Sequence, residues 1–206
     1  MTTLRKAQTF HAEYQNTKND EEQSILNLNS ERIREQRSTF WKPPQHDTIK
    51  INTDAGWDRE GQSQSIAVIA GDDQGQPLSR TAKCINASSP LVAEALALRE
   101  AALLAHNLHW THVIFESDNQ MLIEACKGKN RIGIIYNILM DIKELTKNLQ
   151  FMSFSWTPRR CNETAHNIAD LCKRRLLPPN WLLQPPPSVR RALVQDAMRA
   201  WENGHN

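Results

Sequence analysis

No stretch of the chain approaches the ~18 consecutive apolar residues that a membrane-spanning helix needs, which excludes such a helix. The opening MTTLRKAQTFHAEY lacks an apolar h-region, so no secretory signal is expected. Cysteine is sparse: Cys84, Cys126, Cys161 and Cys172 are scattered and form no CxxC pair. That argues against a disulfide frame or a zinc site and predicts reduced, buried thiols in an intracellular protein. Nuclear and cytoplasmic locations both stay open, because Lys173-Arg174-Arg175 is too short to argue nuclear import. Excess charge is slight, a net +2 with a pI near 8.4. Tight DNA binding by overall charge is therefore not expected, and any nucleic-acid affinity must come from a local patch. Internal repeats are absent. A hydrophobic fraction of 39% is enough for one modest core.

What is present divides into three regions. Residues 1–46 are polar, with sparse apolar positions, and read as an extension or linker with at best one loose helix over about 20–38, ending before Pro43 and Pro44. Residues 47–176 read as one domain of alternating strands and helices. TIKINTDAGW alternates apolar and polar positions as a strand; QSIAVIAG is a second strand, joined through Asp72-Asp73-Gln74-Gly75 to a third. Pro90 opens an Ala- and Leu-rich helix to about 107. THVIFES is β-branched and apolar enough for a central strand. A short helix after Asp118, a second over about 133–147, a strand over 151–156 and a last helix from Asn162 to about Arg175 complete the domain. Residues 177–206 form a Pro-rich tail (LPPNW, QPPPS) ending in the amphipathic SVRRALVQDAMRAWE, with Val189, Leu193, Ala197 and Trp201 at helical spacing.

Three carboxylates fall where elements begin or end: Asp54 toward the end of the first strand, Glu94 in the first turns of the long helix, Asp118 at the carboxyl end of the fourth strand. Sites in α/β sheets gather at strand ends, and a crossover through the long helix would lay Glu94 over the sheet. Glu100 points roughly 120° away on that helix and is expected to face solvent. Converging carboxylates need neutralising, and hard oxygen ligands suit Mg²⁺ or Mn²⁺. Two such ions about 4 Å apart can activate water at a phosphodiester. Each acid taken singly could instead cap a helix or turn; Asp118, ahead of NQMLIEAC, is the strongest such case.

These stretches carry a resemblance. WKPPQHDTIKINTDAGW, LVAEALALREAALLA, VIFESDNQMLIEA and NETAHNIADLC, with PPNW, PPPS and VQDA in the tail, resemble the ribonuclease H domain of plant non-LTR retrotransposons and their stand-alone plant relatives, the reverse-transcriptase-like family. The likeness runs from Trp41 to about Asp196. It implies an α/β, ribonuclease H-like fold: a mixed five-stranded sheet flanked by helices. By position, Asp54, Glu94 and Asp118 correspond to that family's metal-binding acids. In the place of a fourth carboxylate stands His166, four residues after Asn162; Asp170, one turn further, is a second frame and a candidate supporting partner. The implied activity is metal-dependent hydrolysis of the RNA strand of RNA–DNA hybrids, with Asp54, Glu94, Asp118 and His166 catalytic. Imidazole in place of a carboxylate implies weak activity that prefers Mn²⁺ to Mg²⁺.

The pattern also departs from ribonuclease H. The second strand, SQSIAVIA, lacks glycines, and the loop Trp156-Thr157-Pro158-Arg159-Arg160-Cys161 lacks the usual histidine. KGKNR is a thin substitute for a basic handle. Arg159, Arg160 and Asn162 are the candidates for nucleic-acid contact, while Lys173, Arg174 and Arg175 suit a helix C-terminus without further purpose. His106, His109 and His112 share no face and do not suggest zinc; Trp110, Trp156 and Trp181 read as packing residues. The rival reading is a non-catalytic nucleic-acid or protein interaction module. A third is a detached retroelement piece; with no polymerase motif, reverse transcription would need another chain.

Overall fold

The computed structural model describes residues 40–58 and 63–204, excluding the side chains of 199–204. The loose helix expected over 20–38 lies outside the described residues, as does the side chain of Trp201. Five strands form one sheet: β1 (Ile49–Trp57), β2 (Gln64–Gly71), β3 (Pro77–Ile85), β4 (His112–Ser117) and β5 (Phe151–Trp156), in the order β3-β2-β1-β4-β5. β1, β2 and β3 pair antiparallel, whereas β1, β4 and β5 run parallel. This is the expected mixed five-stranded sheet. Among the described residues five α-helices accompany it: α1 (Pro90–Asn107), α2 (Gln120–Cys126), α3 (Tyr136–Thr146), α4 (Glu163–Lys173) and α5 (Pro187–Gly204). Among the described residues no helix is long and apolar enough to cross a membrane.

The central strands are covered on both faces, which explains the near-continuous burial of QSIAVIAG. One face packs Ile51, Val68, Val113 and Phe115 against Ala95, Leu98, Ala101, Ala102 and Ala105 of α1. Alanine at the contact lets the helix approach closely, and each fully buried Ile, Leu or Phe stabilises by about 1.5–3 kcal/mol. The opposite face sets Ala67 and Ile69 against Ala165, Ile168 and Ala169 of α4, with Trp181 and Val189 from the Pro-rich segment completing the cluster. Trp41, ahead of the expected boundary at 46, is also buried, and its Nε1 donates to Asn52 Oδ1 at 2.8 Å.

α4 is hooked to the sheet by its C-terminal carbonyls. Ser65 Oγ donates to Ala169 O at 2.7 Å, Ser63 Oγ to Lys173 O at 2.5 Å, and Cys84 Sγ to Cys172 O at 3.9 Å. Gly56 permits this approach: a Cβ there would stand 2.5 Å from Ser65 Oγ and 2.9 Å from Ala169 O. The four cysteines are free, but only Cys161 and Cys172 are buried: Cys126 is half-buried, and Cys84 is exposed because it lies on the outer strand β3. Burial pushes the Cys126 thiol up to about 12 and the Cys172 thiol up to about 11, so both stay protonated.

Candidate metal centre

The parallel register of β1 and β4 pairs Thr53 with Ser117, so the next residue of each strand, Asp54 and Asp118, emerges at the same edge. Asp54 continues in β1 and is fully buried. Asp118 leaves the sheet at the end of β4. The competing capping roles fall to other residues. Asn119 Oδ1 accepts the Leu122 N–H at 3.0 Å and caps α2, leaving the Asp118 side chain free of that duty. Ser89 caps α1 by accepting from Val92 N, with Pro90 next, so Glu94 is one turn inside the helix and aimed at the sheet. Among the described residues Asp54, Glu94 and Asp118 alone bring together three such ligand atoms, all within 4.8 Å of one another.

The electrostatics follow from that convergence. Burial, then the charges of Asp54 and Asp118, push the Glu94 carboxyl well above the usual range; a hydrogen bond from the Ala55 backbone and the charge of Arg159 partly oppose this. Asp118 is raised as well, by burial first and Asp54 second, with Arg159 pulling the other way. Asp54 Oδ1 and Glu94 Oε2 are buried and accept no hydrogen bond. An unpartnered buried oxygen costs about 1–3 kcal/mol, more when charged. Two such oxygens in an all-carboxylate set fit a hard divalent cation.

His166 joins this group and Asp170 does not. His166 Nδ1 lies 3.1 Å from Asp54 Oδ2, with the side chain 36% exposed at the rim. Asp170 pairs with Lys173 at 3.1 Å and Arg174 at 3.2 Å along its own helix. Burial raises its pKa, but hydrogen bonds from those two cations outweigh it and hold the carboxyl below the ordinary value. Glu100 is also turned away, yet it is not in open solvent: it pairs with Lys83 of β3 at 2.6 Å, and its side chain is 17% exposed.

Two of the candidates for nucleic-acid contact are engaged within the protein. Asn162 is 2% exposed, and its amide donates to Thr53 O at 2.8 Å, so it ties the start of α4 to β1 and cannot reach a nucleic acid. Arg159 is turned inward. Its Nη1 donates to Asp118 Oδ2 at 2.9 Å and stands 3.7 Å from Asp54 Oδ1, while Nη2 lies 2.5 Å from His166 Nδ1 and 3.1 Å from Nε2. His166 Nδ1 can donate to Asp54 or accept from Arg159, not both, so the ring's tautomer depends on its neighbours. Arg160 is exposed on the same turn. The inward course of Arg159 was not legible in the sequence; it follows from the register, since β5 ends level with β4, pairing Trp156 with Ser117, and the chain then passes Asp118. His109 and His112 share a polar cavity with His46, but no metal-like cluster forms there among the described residues.

A family model described as reverse transcriptase-like matches residues 52–172, more than half of the chain. The chain belongs to the reverse transcriptase-like family. All of Asp54, Glu94, Asp118 and His166 lie within the matched stretch. No curated protein matches the chain in sequence. Among solved structures, the reverse transcriptase-like chain is similar to the N-terminal RNase H domain of a Mycobacterium tuberculosis protein. TM-score is 0.58 at 17% identity, covering 63% of this chain and 95% of that one. RNase H1 from the archaeon Halobacterium salinarum gives 0.59 at 16% identity, with 62% and 98% covered. LC11-RNase H1, a compost metagenome protein solved in complex with an RNA/DNA hybrid, gives 0.55 at 19%, with 64% and 100% covered. These likenesses establish a ribonuclease H-like fold.

Proposed function

We propose that this chain is a divalent-metal-dependent endonuclease that hydrolyses the RNA strand of RNA–DNA hybrids, a type 1 ribonuclease H. The observation that carries this reading is the meeting of Asp54, Glu94 and Asp118 within 4.8 Å at the strand ends of a ribonuclease H-like sheet. The two unpartnered oxygens, Asp54 Oδ1 and Glu94 Oε2, support Mg²⁺ or Mn²⁺ as the occupant, with a two-ion site expected. The chemistry such ions supply is a lowered pKa for water and positive charge for the leaving oxygen. In this reading the carboxylates of Asp54 and Asp118 would anchor the ions at the ends of β1 and β4. Glu94, reaching from α1, would bind metal near the side of the 2′-hydroxyl, the group that separates RNA from DNA. His166, half-buried beside Asp54, holds or moves a proton at its ring nitrogens. Arg160, exposed on the adjoining turn, meets backbone phosphate. The resemblance to ribonuclease H domains of plant non-LTR retrotransposons supports a plant retroelement lineage, and four free cysteines without a CxxC pair support an intracellular setting.

Cleavage of a labelled RNA–DNA hybrid tests this. The wild type cuts the RNA strand in Mn²⁺, less in Mg²⁺, and not in EDTA, and Asp54→Asn binds the hybrid without cutting it. Absence of cutting by the wild type under every condition, with binding retained, would instead establish the second reading, a non-catalytic nucleic-acid interaction module. That reading has one observation in its favour: the Arg159 guanidinium already neutralises part of the acid cluster.

A further inference from the structure

Arg159 stands out because its charge is spent inside the cluster rather than outside it. The guanidinium donates to Asp118 Oδ2 at 2.9 Å, lies 3.7 Å from Asp54 Oδ1 and spans to the His166 ring. It thus engages an acid, a second acid and the imidazole that together would surround a cation. Its own side chain is 56% exposed, so it enters from the solvent side and has room to leave by the same route. Asp54 Oδ1, fully buried, makes no hydrogen bond even with this cation nearby, and neither does Glu94 Oε2. A planar guanidinium arriving from the rim reaches the outer oxygens and cannot satisfy the inner ones, whereas a small ion between the carboxylates can.

We infer that Arg159 is a built-in counter-ion of the acid cluster, which competes with the divalent cation for Asp118 and Asp54 and must swing outward for the centre to load. The inference rests on the metal-centre reading above. Its consequence is a metal affinity set as much by this arginine as by the acids. Removing Arg159 raises the affinity, and outward rotation frees its charge for a partner in solvent. Simple loss of a nearby positive charge would also favour a cation. Arg160, exposed and adjacent in sequence, therefore serves as the control: charges screened by solvent act weakly and without positional preference.

Calorimetric titration of MnCl₂ into the full chain separates the possibilities, run on wild type, Arg159→Ala, Arg159→Gln and Arg160→Ala. Competition predicts that both Arg159 variants bind Mn²⁺ more tightly by about tenfold or more, within the usual range for coupled binding. Arg160→Ala should differ from wild type by less than about threefold, as for an exposed charge. Thermal melts supply a second readout: in EDTA the Arg159 variants melt lower than wild type, and Mn²⁺ raises their melting temperature by a larger increment. Binding by the Arg159 variants with no measurable heat from wild type would support the inference in its strongest form. Equal affinities for all four proteins, or equal tightening by Arg159→Ala and Arg160→Ala, would overturn it while leaving the metal centre standing. If neither wild type nor either Arg159 variant takes up Mn²⁺, the metal centre itself fails and this inference with it.

Discussion

Asn162 gives its side-chain amide to the main-chain carbonyl of Thr53, 2.8 Å away, across a gap of more than one hundred residues in sequence. Thr53 precedes Asp54, and Asn162 stands just ahead of α4, which carries His166. One hydrogen bond therefore sets the spacing between an acid of the cluster and the imidazole that faces it. Asn162→Ala removes this buried hydrogen bond, at a cost of about 0.5–1.5 kcal/mol. Urea denaturation should show this loss, while hybrid affinity per folded molecule stays unchanged. Weaker hybrid binding at full stability would return Asn162 to the nucleic-acid surface.

Gly56 should be intolerant of any side chain. A Cβ would meet Ser65 Oγ at 2.5 Å, Ala169 O at 2.9 Å and Lys173 Cβ at 3.0 Å. The carbonyl belongs to a helix backbone held by further bonds from Ser63 and Ser65, so it cannot yield cheaply. Gly56→Ala should destabilise by about 1–3 kcal/mol, the usual penalty of overpacking. A melting temperature equal to wild type would show that α4 sits further from β1.

Glu116 is a buried acid close to the cluster in sequence, yet its partners are structural. Its Oε1 lies 2.9 Å from Lys50 Nζ and its Oε2 accepts from Asn52 Nδ2 at 2.9 Å, while Lys50 Nζ donates to Lys42 O at 2.8 Å. Both charges are nearly inaccessible, so removing one strands the other, at a cost of about 3–5 kcal/mol. Glu116→Ala should show that loss in denaturant. The Mn²⁺ affinity of the folded fraction should remain unchanged, and a large fall in that affinity would place Glu116 in the metal centre.

The pH dependence has a definite sign. The carboxyls of Glu94 and Asp118 are raised above their ordinary values, Glu94 strongly, by burial first and by neighbouring acids second. Between the ordinary and raised values the native state holds more protons than the unfolded chain, so native stability falls as pH rises through that window. Asp170, lowered by Lys173 and Arg174, adds stability that is lost only below the ordinary carboxylate range, outside this window. In EDTA the contribution of these acids should therefore decline as pH rises above the ordinary carboxylate range. Glu94→Gln should flatten the decline, which isolates it from other titrations. Saturating Mn²⁺ should reverse it, since the ion requires deprotonated ligands. A Glu94→Gln profile parallel to wild type in EDTA would contradict the assignment.

The order of elements was legible because it rests on local pattern. Alternation in TIKINTDAGW, the proline opening α1 and the β-branched run before Asp118 each dictate their element from within a few residues. The three acids followed, since strand ends in a parallel pair and a crossover helix leave them few places to go. The competition between capping and site roles was not legible. For Asp118 it turned on Asn119, one position closer to its helix, taking the cap. The internal contacts of Arg159 and Asn162 were not legible for a different reason. Both lie in a short turn whose direction is decided by the end of β5 and by Thr53, and a basic or amide residue in a loop carries no local mark of facing inward. The burial of Trp41 was equally hidden, because it depends on Asn52, further along the chain.

The central claim is that Asp54, Glu94 and Asp118 share a divalent cation. The most direct test is an anomalous difference map from crystals of the full chain grown with MnCl₂. The account predicts a peak among the three carboxylates at roughly 2.0–2.6 Å from Asp54 Oδ1 and Glu94 Oε2, with the Arg159 guanidinium withdrawn from Asp118. Density showing no ion at that position at saturating Mn²⁺, with Arg159 still bound to Asp118, would contradict it.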